Sequence, residues 1–241
     1  MAALTDLKDR TVLVIGRGSG IARAVTLAAR DAGAWVVVAG RDPATLAKEF
    51  QDVGGVTAEQ VDVTDEASVA ALAERLGRVD HVVSTASARA RGTFDVLAPQ
   101  TVLASFATKV VGPVLLAKHF APRMPSDGSF VFFSGASALK PTPGMLAVAA
   151  TNGAVDVVAK GLAVELAPIR VNAVAPGTID TGAYDALGEQ GKAALFTRRA
   201  ETSPAGRIGT AQDIAAAVLY ALTATFLTGV SLPVDGGESV V

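Results

Sequence analysis

Short apolar runs alternate with stretches of helical periodicity along the whole chain. The runs at 11–16 (TVLVIG), 34–40 (AWVVVAG), 56–61, 80–83 (DHVV), 129–133 (SFVFF), 169–174 (IRVNAV) and 230–234 (VSLPV) read as strands. Helices are predicted over 21–33, 66–77, 99–121, 143–166 and 211–223. In the first, Ile21, Val25, Ala28 and Ala32 fall on one face. Strands that are apolar throughout, alternating with helices, predict a mainly seven-stranded parallel sheet with helices on both faces. No internal linker or low-complexity segment interrupts the pattern, so 1–241 reads as a single doubly wound α/β domain. The segment 181–207 departs from it, mixing glycines, charges and a short helical pattern. It follows the C-terminal end of a strand, where open α/β sheets bind ligands, and reads as a substrate lid.

Composition narrows the function. Half of the residues are hydrophobic and 18% are charged, as in a chain with a sizeable core. A net charge of -2 gives no electrostatic reason to expect nucleic acid or an anionic membrane. There is no cysteine, which excludes disulfides and thiolate chemistry. His81 and His119 lack ligand-like spacing, so no metal is expected. The N-terminal stretch MAALTDLKDR has no apolar core and does not resemble a secretory signal. No uninterrupted apolar run is expected to cross a bilayer, and the expected location is cytoplasmic.

Three constellations carry candidate chemistry. In VIGRGSGIAR (14–23), Gly16, Gly18 and Gly20 lie between the first strand and first helix. Glycines there let backbone N–H groups approach a pyrophosphate, and the helix N-terminus favours its charge. The alternative is a tight turn without a ligand. In AGRD (39–42), at the end of the second strand, Arg41 stands where an acid would select a ribose 2′-hydroxyl. A guanidinium suits a 2′-phosphate instead and points to NADP(H). The competing reading makes Arg41 an ordinary surface arginine and Asp42 a helix N-cap. In VDVTD (61–65), Asp62 can accept from an adenine amino group, while Thr64 and Asp65 can start the next helix.

These stretches, with RVNAVAPGTIDT (170–181) and LTGVSLPVDGG (227–237), resemble the short-chain dehydrogenase/reductase family end to end. The resemblance implies a Rossmann-type fold, a small-molecule substrate and a homodimer or homotetramer paired through the long helices and the C-terminal strand. It also implies a division of the binding residues. Gly16, Arg17, Ser19, Gly20 and Ile21 would hold the phosphates, Arg41 the 2′-phosphate, and Asp62 and Val63 the adenine. Ser84 and Ala86 would line the ribose, and Pro176, Gly177, Ile179 and Thr181 would hold the nicotinamide end. Ile15 and Ala22 depart from the family's glycine motif.

The family's catalytic set of Asn, Ser, Tyr and Lys is absent. Aligned on GMLAVAATNGAV (144–155), Val148 takes the Tyr position, Asn152 the Lys position and Gly135 the Ser position. Lys109, in TKVVGP, stands where the family has Asn. Lys109 and Asn152 therefore read as an exchanged pair. Lys109 would donate the proton, Asn152 would hold the ribose, and Ser134 or Ser137 would polarise the carbonyl. The competing reading makes Lys109 a helix-flank lysine beside an apolar line of Phe106, Val110 and Val114. Tyr184, in the proposed lid, is the other candidate acid, and Tyr220 is expected on the last helix's buried face. Three functions stay open: a reductase with a rearranged site, a cofactor-binding protein without redox chemistry, and a non-redox lyase or cyclase.

Overall fold

The computed structural model describes residues 6–241; residues 1–5 of the N-terminal stretch lie outside the described residues. The strands are β1 (Thr11–Ile15), β2 (Trp35–Gly40), β3 (Val56–Gln60), β4 (His81–Ser84), β5 (Ser129–Phe133), β6 (Arg170–Pro176), β7 (Ile179–Asp180), β8 (Gly209–Thr210) and β9 (Ser231–Val234). The helices are α1 (Gly20–Asp31), α2 (Pro43–Glu49), α3 (Glu66–Leu76), α4 (Pro99–Phe106), α5 (Gly112–Phe120), α6 (Leu146–Glu165), α7 (Gly188–Thr202) and α8 (Ala211–Thr223). Seven strands form one sheet in the order β3-β2-β1-β4-β5-β6-β9, with neighbours parallel throughout. The order reverses between β1 and β4, which opens a crevice at the C-terminal strand ends.

Both faces of the sheet are covered, which explains the continuous apolar strands. On one face Leu13, Phe130 and Phe132 pack with Leu72 of α3, Leu116 of α5 and Val155 of α6. Their sequence neighbours Val12 and Val131 point the other way, against Val25 of α1, Leu46 of α2 and Val218 of α8. At the sheet's opposite edge from the crevice, Arg10 and Arg78 pair with Asp80, and Arg10 also reaches Asp127.

Several expectations change. On α1 the buried face is Ala22, Val25, Thr26 and Ala29, rotated from the predicted line. Tyr220 is 50% exposed, because α8 turns Ile214, Val218 and Leu222 to the core and Tyr220 away from it. Along α4 and α5 the inward residues are Ser105, Lys109, Gly112, Pro113 and Leu116, whereas Val114 is exposed. The helix is apolar on both sides, with Leu103 and Val111 also exposed, so periodicity alone cannot name its inner face. The runs Pro99–Arg123 and Leu146–Glu165 have the length and hydropathy of a membrane span, contrary to expectation; each turns its inner face onto the sheet.

A single π-helical turn, Ala107–Val111, joins α4 to α5. Pro113 accounts for it: proline has no N–H, and its ring crowds the carbonyl four residues back, that of Lys109. The small pair β7–β8, Ile179 against Gly209, pins together the two ends of the 181–208 excursion that carries α7.

Candidate active site

The turn between β1 and α1 is built for close approach. Gly18 (φ 75°) and Gly20 (φ 55°) adopt left-handed backbone. A Cβ on Gly16 would lie 2.3 Å from the Thr85 hydroxyl, and one on Gly40 would lie 2.7 Å from the Gly16 carbonyl. Only glycines let these two strand ends meet. Ser19, the N-cap of α1, makes no side-chain cap bond, and the first turn holds no acid. The helix's first N–H groups and its positive dipole end therefore fit a phosphate.

Around this turn the acids are engaged locally. Asp42 accepts from the Thr45 N–H at 3.0 Å and the Thr45 hydroxyl at 2.6 Å, which hold its carboxyl below the usual range. It caps α2, and exposed Arg41 beside it forms no ion pair among the described residues, though its charge reaches Asp62 and helps hold that carboxyl low. Asp62 accepts two bonds from Thr64, both on Oδ1, and Asp65 caps α3. Val63 packs against Gly112, where a Cβ would come within 3.2 Å of it. Ser84 is buried at the end of β4 beside partly buried Ala86.

The loop after β6 is held by the chain's far end. Glu238 accepts from the Thr178 N–H at 2.8 Å and from its hydroxyl at 3.0 Å. A Cβ on Gly177 would come within 2.7 Å of Asp235 Cα, so glycine is required there too. Thr181 abuts Gly20, bringing this loop to the phosphate turn. The Ile179 side chain is buried in the core, and its main chain pairs with Gly209 of β8.

Lys109 and Asn152 meet between α6 and the π turn. The Lys109 ammonium donates to Asn152 Oδ1 and to the Ser134 carbonyl, the latter at 3.4 Å. Lys109 is 7% exposed, which overturns the helix-flank alternative. Burial chiefly, then the charge of Arg89, lowers its pKa from 10.5 to about 7, with Asp156 opposing. Asn152 Nδ2 donates to the Ser137 hydroxyl at 2.8 Å. Ser134 donates its hydroxyl to the Asn152 carbonyl at 3.0 Å, so it points into α6. Gly135 makes room for the pair: a Cβ there would stand 2.7 Å from Asn152 Nδ2. Val148, on the first turn of α6, is 5% exposed.

Tyr184 lies on the excursion, edge-on to Phe196 at 5.7 Å and under Arg91. Among the described residues no group of three or more His, Cys, Asp or Glu is placed to hold a metal ion. Sequence reasoning missed Arg89, Arg91 and Glu238. The first two were visible as SARARG, a pair of arginines in the loop following a strand end.

A family model described as enoyl-(acyl carrier protein) reductase matches residues 15–239. A short-chain dehydrogenase/reductase from Acremonium sp., ucsE, is 31% identical over 97% of both chains. The chain belongs to the short-chain dehydrogenase/reductase family. Another relative in this short-chain family, from Xanthobacter autotrophicus, is 35% identical over 89% of this chain and 99% of its own. That protein is named an inactive 2-(S)-hydroxypropyl-CoM dehydrogenase. A solved small-chain dehydrogenase in complex with NADPH superposes with a TM-score of 0.84 at 30% identity, over 96% of this chain and 99% of that one.

Proposed function

We propose that this short-chain dehydrogenase/reductase is an NADP(H)-dependent reductase of a carbonyl in a small, partly apolar molecule, with Lys109 as its proton donor. The buried Lys109–Asn152 hydrogen bond carries the reading, because it joins a titratable amine to the residue that we align with the family's lysine. NADPH would supply the hydride. Gly16, Arg17, Ser19, Gly20 and Ile21 would hold its phosphates, with Arg41 on the 2′-phosphate and Asn152 on the ribose. The uncapped α1 N-terminus and the exposed Arg41, whose charge Asp62 offsets only from a distance, support that fit.

An ammonium has three N–H donors. Two go to Asn152 and the Ser134 carbonyl, so the third remains for the substrate oxygen. A pKa of about 7 suits a group that must donate and be recharged at neutral pH. Ser134 has its hydroxyl committed to α6, so Ser137, which accepts from Asn152, takes the polarising role. The 181–207 segment would close over the substrate, with Tyr184 and Phe196 as its apolar cover. Exposed Leu103, Val111 and Val114, with Val157 and Val164 on α6, support a homodimer or homotetramer.

A second reading, a cofactor-binding protein without turnover, is favoured by Val148, which supplies no hydroxyl, and by the relative named as inactive. A fluorescence titration with NADPH beside NADH, followed by a carbonyl screen, separates the two. The reductase binds NADPH in preference and oxidises it with a carbonyl. Its Lys109→Ala variant keeps NADPH binding and loses roughly a hundred- to ten-thousand-fold in kcat. NADPH binding with no oxidation by any carbonyl supports the second reading.

A further inference from the structure

Arg89 and Arg91 project from the loop between β4 and α4. The loop is fixed by what lies beside them. Ala90 is buried, the Ala88 carbonyl accepts from the Ser105 hydroxyl at 2.7 Å, and the Gly92 N–H donates to the Gly144 carbonyl at 3.0 Å. The two arginines alternate with these anchors and are exposed.

Their surroundings are one-sided. Arg89 feels the charges of Arg91 and Arg17, and its own charge reaches Lys109. The Arg91 guanidinium stands 5.7 Å from the centre of the Tyr184 ring. No carboxylate of the described residues pairs with Arg17, Arg89 or Arg91. Elsewhere many cations have partners: Arg75 with Glu59, Lys118 with Glu66, Arg207 with Asp213. The nearby acids of the excursion, Asp180 and Asp185, are both taken by Lys192 at 3.0 and 2.8 Å. In a chain of net charge -2, an unneutralised positive cluster has gathered in the loop that leaves the C-terminal end of β4, on the crevice side of the sheet. Like charges held together in a cleft focus a field that an anion relieves.

We propose that the substrate carries an anionic group, a carboxylate, sulfonate or phosphate, which Arg89 and Arg91 hold while its carbonyl reaches Lys109. The carbonyl half rests on the reductase reading; the anion half does not. A guanidinium pair binds such oxyanions through charge-assisted, bidentate hydrogen bonds. The fixed loop keeps the backbone of both arginines in place before binding, which lowers the ordering cost.

The test is calorimetric binding of pyruvate and levulinate, each beside its methyl ester, with and without NADP+, in wild type and in Arg89→Met/Arg91→Met. No hydride is available under these conditions, so binding is read apart from turnover. At least one acid is expected to bind roughly tenfold or more tighter than its ester, as one charge-assisted contact allows. The double variant is expected to lose that preference and keep its affinity for NADP+. Equal binding of acid and ester in both pairs overturns the proposal, as does a preference that survives in the variant. Loss of NADP+ affinity together with the preference assigns the arginines to the cofactor and also overturns it. If an acid binds by these rules but NADPH is never oxidised, the anion site stands and the reductase reading falls. If acid and ester are reduced alike, the reverse holds.

Discussion

Lys109 is a charged group placed where charge is costly. Its pKa is about 7 in the folded chain against an ordinary 10.5. Between these values the unfolded chain holds more protons, so stability rises with pH. The Lys109 contribution is fully present above about 10.5 and is lost as pH falls to about 7. Thermal melts of the cofactor-free protein are therefore expected to move to higher Tm between pH 7 and 9.5. The Lys109→Met variant flattens that rise, and an unchanged slope in it assigns the effect elsewhere. For reduction, the same group must be protonated, so kcat/KM is expected to fall as pH rises through about 7. Gly135 shapes the pair from the other side. Gly135→Ser restores the family's residue but sets a Cβ against Asn152 Nδ2, the mobile end of that side chain. The fold is expected to survive while Asn152 moves off Lys109 and Ser137, lowering kcat by roughly ten- to a hundredfold. A kcat equal to wild type refutes the proposed Asn152 geometry. At this scale the Lys109–Asn152 encounter was legible only through the family resemblance, since helical spacing alone left Lys109 on a flank. The choice of Ser137 over Ser134 was not, because side-chain direction at an irregular strand end follows no period.

At the scale of elements, the turn that carries Lys109 depends on a residue four positions away. Pro113→Ala returns the missing N–H and removes the ring that crowds the Lys109 carbonyl. Continuous α-helix should then become available across Ala107–Val111, rotating Lys109 within its pocket. Circular dichroism is expected to show a slight gain in helix, and turnover is expected to fall by about tenfold or more. Full activity would mean the π turn is incidental. The strands and the long helices were readable in order from their patterns. The rotation of α1 and of α4–α5 was not, since both sides of these helices carry apolar residues. β7 and β8 left no pattern at all: a two-residue strand is shorter than any period that could reveal it.

Over the whole molecule, several of the exposed apolar residues lie on the two long helical runs. Val157 and Val164 on α6 lie 68% and 80% exposed, with Leu103 and Val111 on the preceding helical run. Their burial against a second copy would remove apolar surface at roughly 25 cal/mol per Å². Size-exclusion chromatography with light scattering is expected to give a dimer or tetramer for the wild type and a smaller species for Val157→Glu/Val164→Glu. A monomeric wild type removes the oligomer from the proposal. The fold class was open to sequence reading because alternating buried strands and amphipathic helices leave few other architectures.

The grip of Glu238 on Thr178 has a practical consequence for anyone who makes this protein. Residues far apart in the chain act there as a latch, and the latch lies within a few positions of Val241. Cutting the chain before Glu238, or fusing a bulky group beside it, would set the Thr178 loop loose. A purification handle belongs away from Glu238, and weak NADPH binding by a preparation tagged beside it would report on the handle first.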